Sequence, residues 1–266
     1  MYLGKISSGK TGITNRGFKR GSNPRISTKL ITMGRVKEII VKVIPAKIAN
    51  EFVKKHHYSG KVVPNSNLHF GAFLDNKLHG VMSYGPSMRK DLVQSLVANT
   101  GWHEFLELNR MAFDSYLPKN SESRCIAISI RLIKKNAPQI RWVISFSDGS
   151  QCGDGTIYRA AGFYLTGVKV NTQIRINPKT NEAMQSMQAF HLGLSKEFLK
   201  WDKIPGFQLR YIYLIDKECK ITVPILPFSK IDEMGAGMYK GKKISLAERK
   251  ALSDVVDSNP NSSLVD

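Results

Sequence analysis

The sequence predicts a mixed α/β fold, a central twisted sheet flanked by helices, in a single domain preceded by a basic arm. Three observations lead there. Between residues 36 and 228, apolar and β-branched runs of strand length alternate with amphipathic segments of helix length. The first 37 residues carry nine basic side chains and no acidic one. Within Phe105–Thr166, polar clusters sit at every junction between apolar runs, where an α/β core carries its chemistry.

Each element has its own signal. Val36–Ile44 (VKEIIVKVI) reads as a strand rich in β-branched residues. Pro45 suits the first turn of a helix, and Ala46–His57 continues it with Ile48, Ala49, Phe52 and Val53 on one face. Tyr58–Asn67 is a polar loop. Leu68–Leu74 and Leu78–Tyr84 form a hairpin whose tight turn is Asp75-Asn76-Lys77. Lys90–Ala98 is a short helix, Phe105–Phe113 a strand and Ser121–Lys135 a long helix. Ile140–Phe146 is a buried strand, Thr156–Ala161 a short helix, Leu165–Ile176 a strand or a pair, and Tyr211–Ile215 a late strand. Ser245 and Glu248 have capping-box spacing, so Ser245–Val256 reads as a terminal helix with a frayed end at Asn259–Asp266. The domain limits follow: an arm over 1–35, a core over 36–228 and a C-terminal extension over 229–266. This order resembles the GNAT acyltransferase superfamily, a resemblance that implies a splayed sheet with a cofactor slot beside its middle helix.

Charge bounds the partners. Lys plus Arg is 40 against 21 Asp plus Glu, a formal net charge of +19. Nine of the basic residues, from Lys5 to Lys37, fall in the acid-free, Gly- and Ser-rich first 37 residues, and the remainder of the chain is basic too. Such a balance predicts a polyanion partner, with DNA or RNA preferred to a membrane surface. The three cysteines, Cys125, Cys152 and Cys219, match neither a zinc ribbon nor a disulfide framework, which predicts an intracellular setting. No run approaches the roughly 18 apolar residues of a membrane span, and no apolar block follows the basic N-terminus as in a secretory signal.

Four constellations carry chemistry. At the start of the long helix, Asn120 or Ser121 can cap, and Ser123, Arg124 and Lys119 add donors and positive charge, a setting for phosphate or pyrophosphate. Pro118-Lys119-Asn120-Ser121-Glu122-Ser123 stands where acyl-CoA enzymes carry a Gly-rich turn, and Glu122 is awkward beside a phosphate. The alternative is an ordinary N-cap. His56-His57-Tyr58 ends the first helix. Adjacent histidines point about 100° apart, so one of them, with Tyr58 and Asp148, is the metal set to consider. Such donors without thiolate suit iron better than structural zinc, and the alternative is a histidine favouring the helix terminus. Asp148 follows a buried strand and precedes a glycine-rich loop, so it can bind metal or take a proton from an attacking amine; the alternative is a turn aspartate that satisfies loop N–H groups. Tyr158, after a glycine turn, offers a ring for stacking on a base or a hydroxyl to orient a substrate. Arg110 sits in an apolar strand and needs an anionic partner: Glu107, Asp148, a substrate or a phosphate. Cys152 has a nucleophile's chemistry but no His nearby in sequence, so it reads as structural or incidental.

The runs HHYSGKVVPNSNLHFGAF, GVMSYGPSM, FLELNRMAFD, LPKNSESR and WVISFSDGSQCGDGTIYRAAGFYLTG resemble the phage Mom family of DNA-modification proteins, over about Ile44–Thr172. The resemblance implies a GNAT-like fold and conversion of adenine in double-stranded phage DNA to N6-carbamoylmethyladenine, which hides restriction sites, in the host cell cytoplasm. It places His57, Tyr58, Arg110, Ser123, Asp148 and Tyr158 in the active site, with iron held by His57, Tyr58 and Asp148. An acyl-CoA-like donor is the cofactor class to test. The other functions the residues allow are a GNAT-type acyltransferase on a small amine or protein, and a non-catalytic basic DNA-binding protein.

Overall fold

The computed structural model describes residues 34–149, 155–171, 173–181, 183–203 and 206–234, with the backbone of 238–239 and 242–243. The arm before residue 34, Cys152 and the loop at 150–154, and the helix expected at Ser245–Val256 with its frayed end lie outside these residues.

The strands are β1 (Ile40–Val43), β2 (Leu68–Leu74), β3 (Lys77–Gly85), β4 (Phe105–Phe113), β5 (Trp142–Asp148), β6 (Tyr164–Asn171), β7 (Ile174–Ile176), β8 (Ala183–Gln185) and β9 (Gly206–Leu214). The helices that matter here are α1 (Ala46–His56), α2 (Lys90–Val93), α3 (Ser121–Asn136), α4 (Thr156–Ala160), α5 (Ser186–His191), α6 (Ser195–Phe198) and α7 (Ser229–Glu233). Seven strands form one sheet in the order β1-β2-β3-β4-β5-β9-β6. Every neighbouring pair is antiparallel except β4 and β5, which run parallel. The expected mixed α/β sheet flanked by helices is therefore what these residues build. No helix among them is long and apolar enough to cross a membrane.

Packing follows the apolar periodicities. One sheet face meets α1, where Ala49 and Val53 join Ile44, Val81 and Ala112. The other carries α3, whose Cys125, Ile126, Ile130 and Ile133 pack on Phe70, Met82, Tyr84 and Val143. Ser129 on α3 is hydrogen-bonded to the buried Tyr84 hydroxyl at 2.7 Å, which fixes the helix against β3. Ile231 of α7, 1% exposed, belongs to the same core. Packing therefore continues past residue 228, where the sequence placed the domain's end.

Four sequence expectations change in detail. The first strand is shorter: Val36–Glu38 is a helical turn and only Ile40–Val43 pairs. Arg35 explains this, since its guanidinium makes two 2.6 Å bonds to Asp75 at the hairpin turn and a longer one to Glu38. The hairpin turn holds two residues, Asp75 and Asn76, both at positive φ, and Lys77 already belongs to β3. The late strand starts at Gly206, five residues before the expected Tyr211. Its first half, GFQLR, alternates polar residues into the run and so hides a strand that pairs on both edges. Residues 173–203 form an insert between β6 and β9, comprising the β7–β8 hairpin with α5 and α6 over a small core of Met184, Ala189 and Phe198.

Gly155 shows how tightly one turn is built. It precedes α4 at φ +68°, a conformation L residues rarely adopt, and a Cβ there would overlap the Tyr211 hydroxyl. Gly155→Ala is expected to cost about 3 kcal/mol, from the left-handed backbone and the overpacking together. Urea denaturation measures it, and a loss below about 0.5 kcal/mol would show that this turn relaxes freely.

Candidate active site

The cleft is a consequence of strand divergence. β4 and β5 pair only from Phe105 opposite Trp142 to Leu108 opposite Ser145. Beyond that point β4 stays with β3, and β5 stays with β9. The sheet therefore opens, and a cleft of about 970 Å³ fills the gap. At the apex, Ser145 Oγ is hydrogen-bonded to the Leu108 carbonyl at 3.2 Å and to the Tyr158 hydroxyl at 2.9 Å. These contacts tie β4, β5 and the Tyr158 hydroxyl together at the last paired position of the two strands.

A bulge aims the chemistry. Ser83 pairs with Arg110 and Tyr84 with Leu108, so Asn109 is the extra residue on β4. Strict alternation would send Asn109 and Arg110 to opposite faces. The bulge lets Glu107, Asn109 and Arg110 all line the cleft. Phe146, Ser147 and Asp148 line it from β5. The loop after α1 supplies Tyr58, Lys61 and Pro64, and the insert supplies Asn181, Gln185 and Gln188.

The cleft thus unites Tyr58, Arg110 and Asp148. Tyr58 is 55% exposed and its ring lies 4.3 Å from that of His57. Arg110 donates from Nε to the Lys61 carbonyl at 3.1 Å and from Nη1 to the Asn109 carbonyl at 3.0 Å. Of the partners the sequence left open, neither Glu107 nor Asp148 forms an ion pair with it among the described residues. Asp148 ends β5 and its Oδ2 accepts from Gln185 Nε2.

His57 lies behind this wall. α1 ends one residue earlier than expected, and the two histidines part: His56 stacks on Phe52 at 4.3 Å, while His57 turns to Ser59. The Ser59 backbone N–H donates to His57 Nδ1 at 3.1 Å and the Ser59 hydroxyl lies 2.8 Å from the same nitrogen. Nδ1 is thus an acceptor, and the neutral ring carries its proton on Nε2. Burial, and then the Arg110 charge, push the His57 pKa down to about 4. The unfolded chain takes up this proton first, near pH 6.5. The neutral ring therefore contributes stability that is complete above about pH 6.5 and lost progressively as pH falls to about 4, up to about 3 kcal/mol. Urea unfolding at pH 7 and 4.5 should show a smaller pH dependence in His57→Gln than in the wild type. Equal dependence in both would clear His57 of the effect.

The other predicted residues lie elsewhere. Tyr158 is 8% exposed, stacked on Tyr211 at 4.5 Å with Phe163 edge-on at 5.5 Å. A ring so enclosed cannot stack on a base, which corrects that expectation; its hydroxyl seals the apex instead. Asn120 holds the N-cap position of α3 in the left-handed conformation without a side-chain cap bond. Ser121 is buried with its hydroxyl donating to the Pro118 carbonyl, and the Ser123 hydroxyl donates to the Asn120 carbonyl at 3.2 Å. Arg124 Nε is enclosed. None of Asn120, Ser121, Ser123 and Arg124 lines the cleft, and the two hydroxyls offered for phosphate already donate to carbonyls.

The residues as placed do not fit an iron centre. The His57 Nδ1 lone pair is taken by Ser59, and His57 does not line the cleft that holds Tyr58 and Asp148. Among the described residues no three His, Cys, Asp or Glu side chains gather as a metal set.

Sequence reasoning passed over Gln185 here and named Glu107 only as an ion-pair partner open to Arg110. Glu107 lines the cleft, and burial raises its carboxyl pKa, while Ser87, Asn109 and the Arg110 charge draw it partly back. Gln185, which holds Asp148, comes from the unforeseen insert. Glu107 was legible as a carboxylate within an apolar strand; Gln185 had no comparable signal.

The Mom protein family model matches residues 38–230. A curated relative, the methylcarbamoylase Mom of Escherichia phage Mu, is 35% identical over 192 residues, covering 69% of this chain and 78% of that protein. Among solved structures, the ribosomal-protein-S18-alanine N-acetyltransferase of Escherichia coli aligns at 8% identity and a TM-score of 0.40, covering 67% of this chain and 94% of its own. An N-acetyltransferase of Staphylococcus aureus Mu50 aligns at 9% identity and a TM-score of 0.41, covering 67% and 99%.

Proposed function

The chain belongs to the Mom protein family, and from that premise we propose that it is a transferase that modifies DNA by placing a carbamoylmethyl group on the N6 amine of adenine. The observation that carries this reading is the cleft between β4 and β5. It brings a cation, Arg110, a carboxylate, Asp148, and an exposed aromatic ring, Tyr58, around one space. The reaction needs each of them. The N6 lone pair is delocalised into the ring, so the amine attacks only as a proton leaves it, and Asp148 is the acceptor. In a duplex the amine is paired and stacked, so the base must leave the helix, and Tyr58 at the mouth offers a stacking surface. As the N6–C bond forms, the bond from the carbamoylmethyl carbon to the donor's leaving group breaks, the leaving group departs with the electron pair, and Arg110 neutralises the charge that develops. Modified adenines would hide restriction sites from host endonucleases.

The test is mass spectrometry of nucleosides from DNA of cells producing the protein. A modified deoxyadenosine is expected. Unmodified deoxyadenosine alongside abundant folded protein overturns the reading and leaves an acyltransferase on a small amine or protein, or a non-catalytic DNA binder.

The arm gives a second measurable outcome. Removing residues 1–34 takes away Lys5, Lys10, Arg16, Lys19, Arg20, Arg25 and Lys29. Every phosphate that the arm would otherwise neutralise then keeps its counterion, which flattens the salt dependence of DNA binding by about 0.9 in log–log slope. The truncated protein should therefore bind more weakly and with a shallower slope. An unchanged slope would show that the arm does not touch DNA.

A further inference from the structure

We propose that the cleft holds an oxyanion subsite built from Lys61, Ser147 and Arg110, which binds an anionic group of the small-molecule donor. The donor assignment rests on the transferase reading; anion binding itself does not. Lys61 lines the cleft, and its Nζ is enclosed with no hydrogen-bond partner among the described residues. Ser147, 6% exposed on β5, also lines it, and its Oγ is likewise enclosed and without a partner. Arg110 spends Nε and Nη1 on two neutral carbonyls, one of them that of Lys61, so the two cations are tied together through the backbone. The Arg110 charge reaches the Glu107 carboxyl and draws back part of the pKa rise that burial causes, but no carboxylate of the cleft contacts either cation among the described residues. Asp148 is held by Gln185, and neither it nor Glu107 ion-pairs with Lys61 or Arg110 among the described residues.

Buried charges are normally paired, and buried donors normally bonded. Two cations and a hydroxyl with no ion pair among the described residues form a donor-rich set, and an oxyanion completes it. The enclosure of Lys61 Nζ decides the source. Duplex phosphates track the outside of a protein, whereas a carboxylate or phosphate on a small donor can enter the cleft.

Full-length protein without DNA is titrated calorimetrically with inorganic phosphate and with acetate at constant ionic strength. Saturable one-site binding of at least one probe is expected. Lys61→Met, which keeps the apolar stem, and Ser147→Ala should each weaken it about tenfold, the value of one hydrogen bond to a charged group. Ser147→Ala alone serves if thermal melts show that Lys61→Met does not fold. DNA affinity and its salt slope should not change in either variant. Absence of saturable binding by the wild type, or undiminished binding in folded variants, overturns the subsite. A salt slope shallower by about one in Lys61→Met would assign the ammonium to a DNA phosphate and overturn the donor assignment. Probe binding by a wild type that leaves deoxyadenosine unmodified in cells supports the subsite while removing the transferase reading.

Discussion

Asp148→Asn is expected to slow adenine modification by about 10²- to 10⁴-fold, the contribution of a positioned general base, with folding and DNA affinity retained. The substitution is nearly isosteric. Asp148 pairs with Gln208 through the β5–β9 backbone, and that register does not depend on the carboxylate. Gln185 fixes the side chain from the insert, so Gln185→Ala should give a milder loss by letting the carboxylate wander. Glu107 is the competing base. Burial raises its pKa, which makes it a stronger proton acceptor than an ordinary glutamate but leaves it protonated to higher pH. Initial rates measured by nucleoside mass spectrometry separate the two. Full activity in Asp148→Asn together with loss in Glu107→Gln would move the proton to Glu107.

How much of this was legible varies with the physics behind each element. Strands and helices with a strong period could be read directly: α1, the β2–β3 hairpin, β4, α3 and β5 all lie within a few residues of their expected bounds. Asp148 was legible because a carboxylate that ends an apolar strand has few structural uses. The cleft itself was not. It depends on where β4–β5 pairing stops and on a bulge at Asn109, and both are set by neighbouring strands, not by the local sequence. Tyr158 misled for the same reason. A tyrosine after a glycine turn looks presented to solvent, yet Tyr211 on a strand about fifty residues later covers its ring. Lys61 and Ser147 carry no sequence signal, since a lysine in a polar loop and a serine in a strand are ordinary. Only enclosure without partners sets them apart.

Arg110 should be as sensitive as Asp148, through a different route. Arg110→Met is expected to lower the modification rate by about 10²- to 10³-fold, the scale of removing one preorganised electrostatic interaction. Arg110→Lys should rescue little. The guanidinium fork spans the Lys61 and Asn109 carbonyls at once, and a single ammonium cannot hold both and still face the cleft. The Lys61 bond also ties the loop bearing Tyr58 to β4, so both variants loosen the surface offered to the base. A second readout distinguishes this role from general damage. Arg110 is the next cause after burial of the low His57 pKa, so its removal should raise that pKa from about 4 while leaving it below the ordinary value. NMR titration of the His57 ring measures the shift. A raised His57 pKa with lost activity in a folded Arg110→Met protein locates the charge at this wall of the cleft. Unchanged activity in that variant would remove Arg110 from the chemistry and leave it as a brace between the loop and β4.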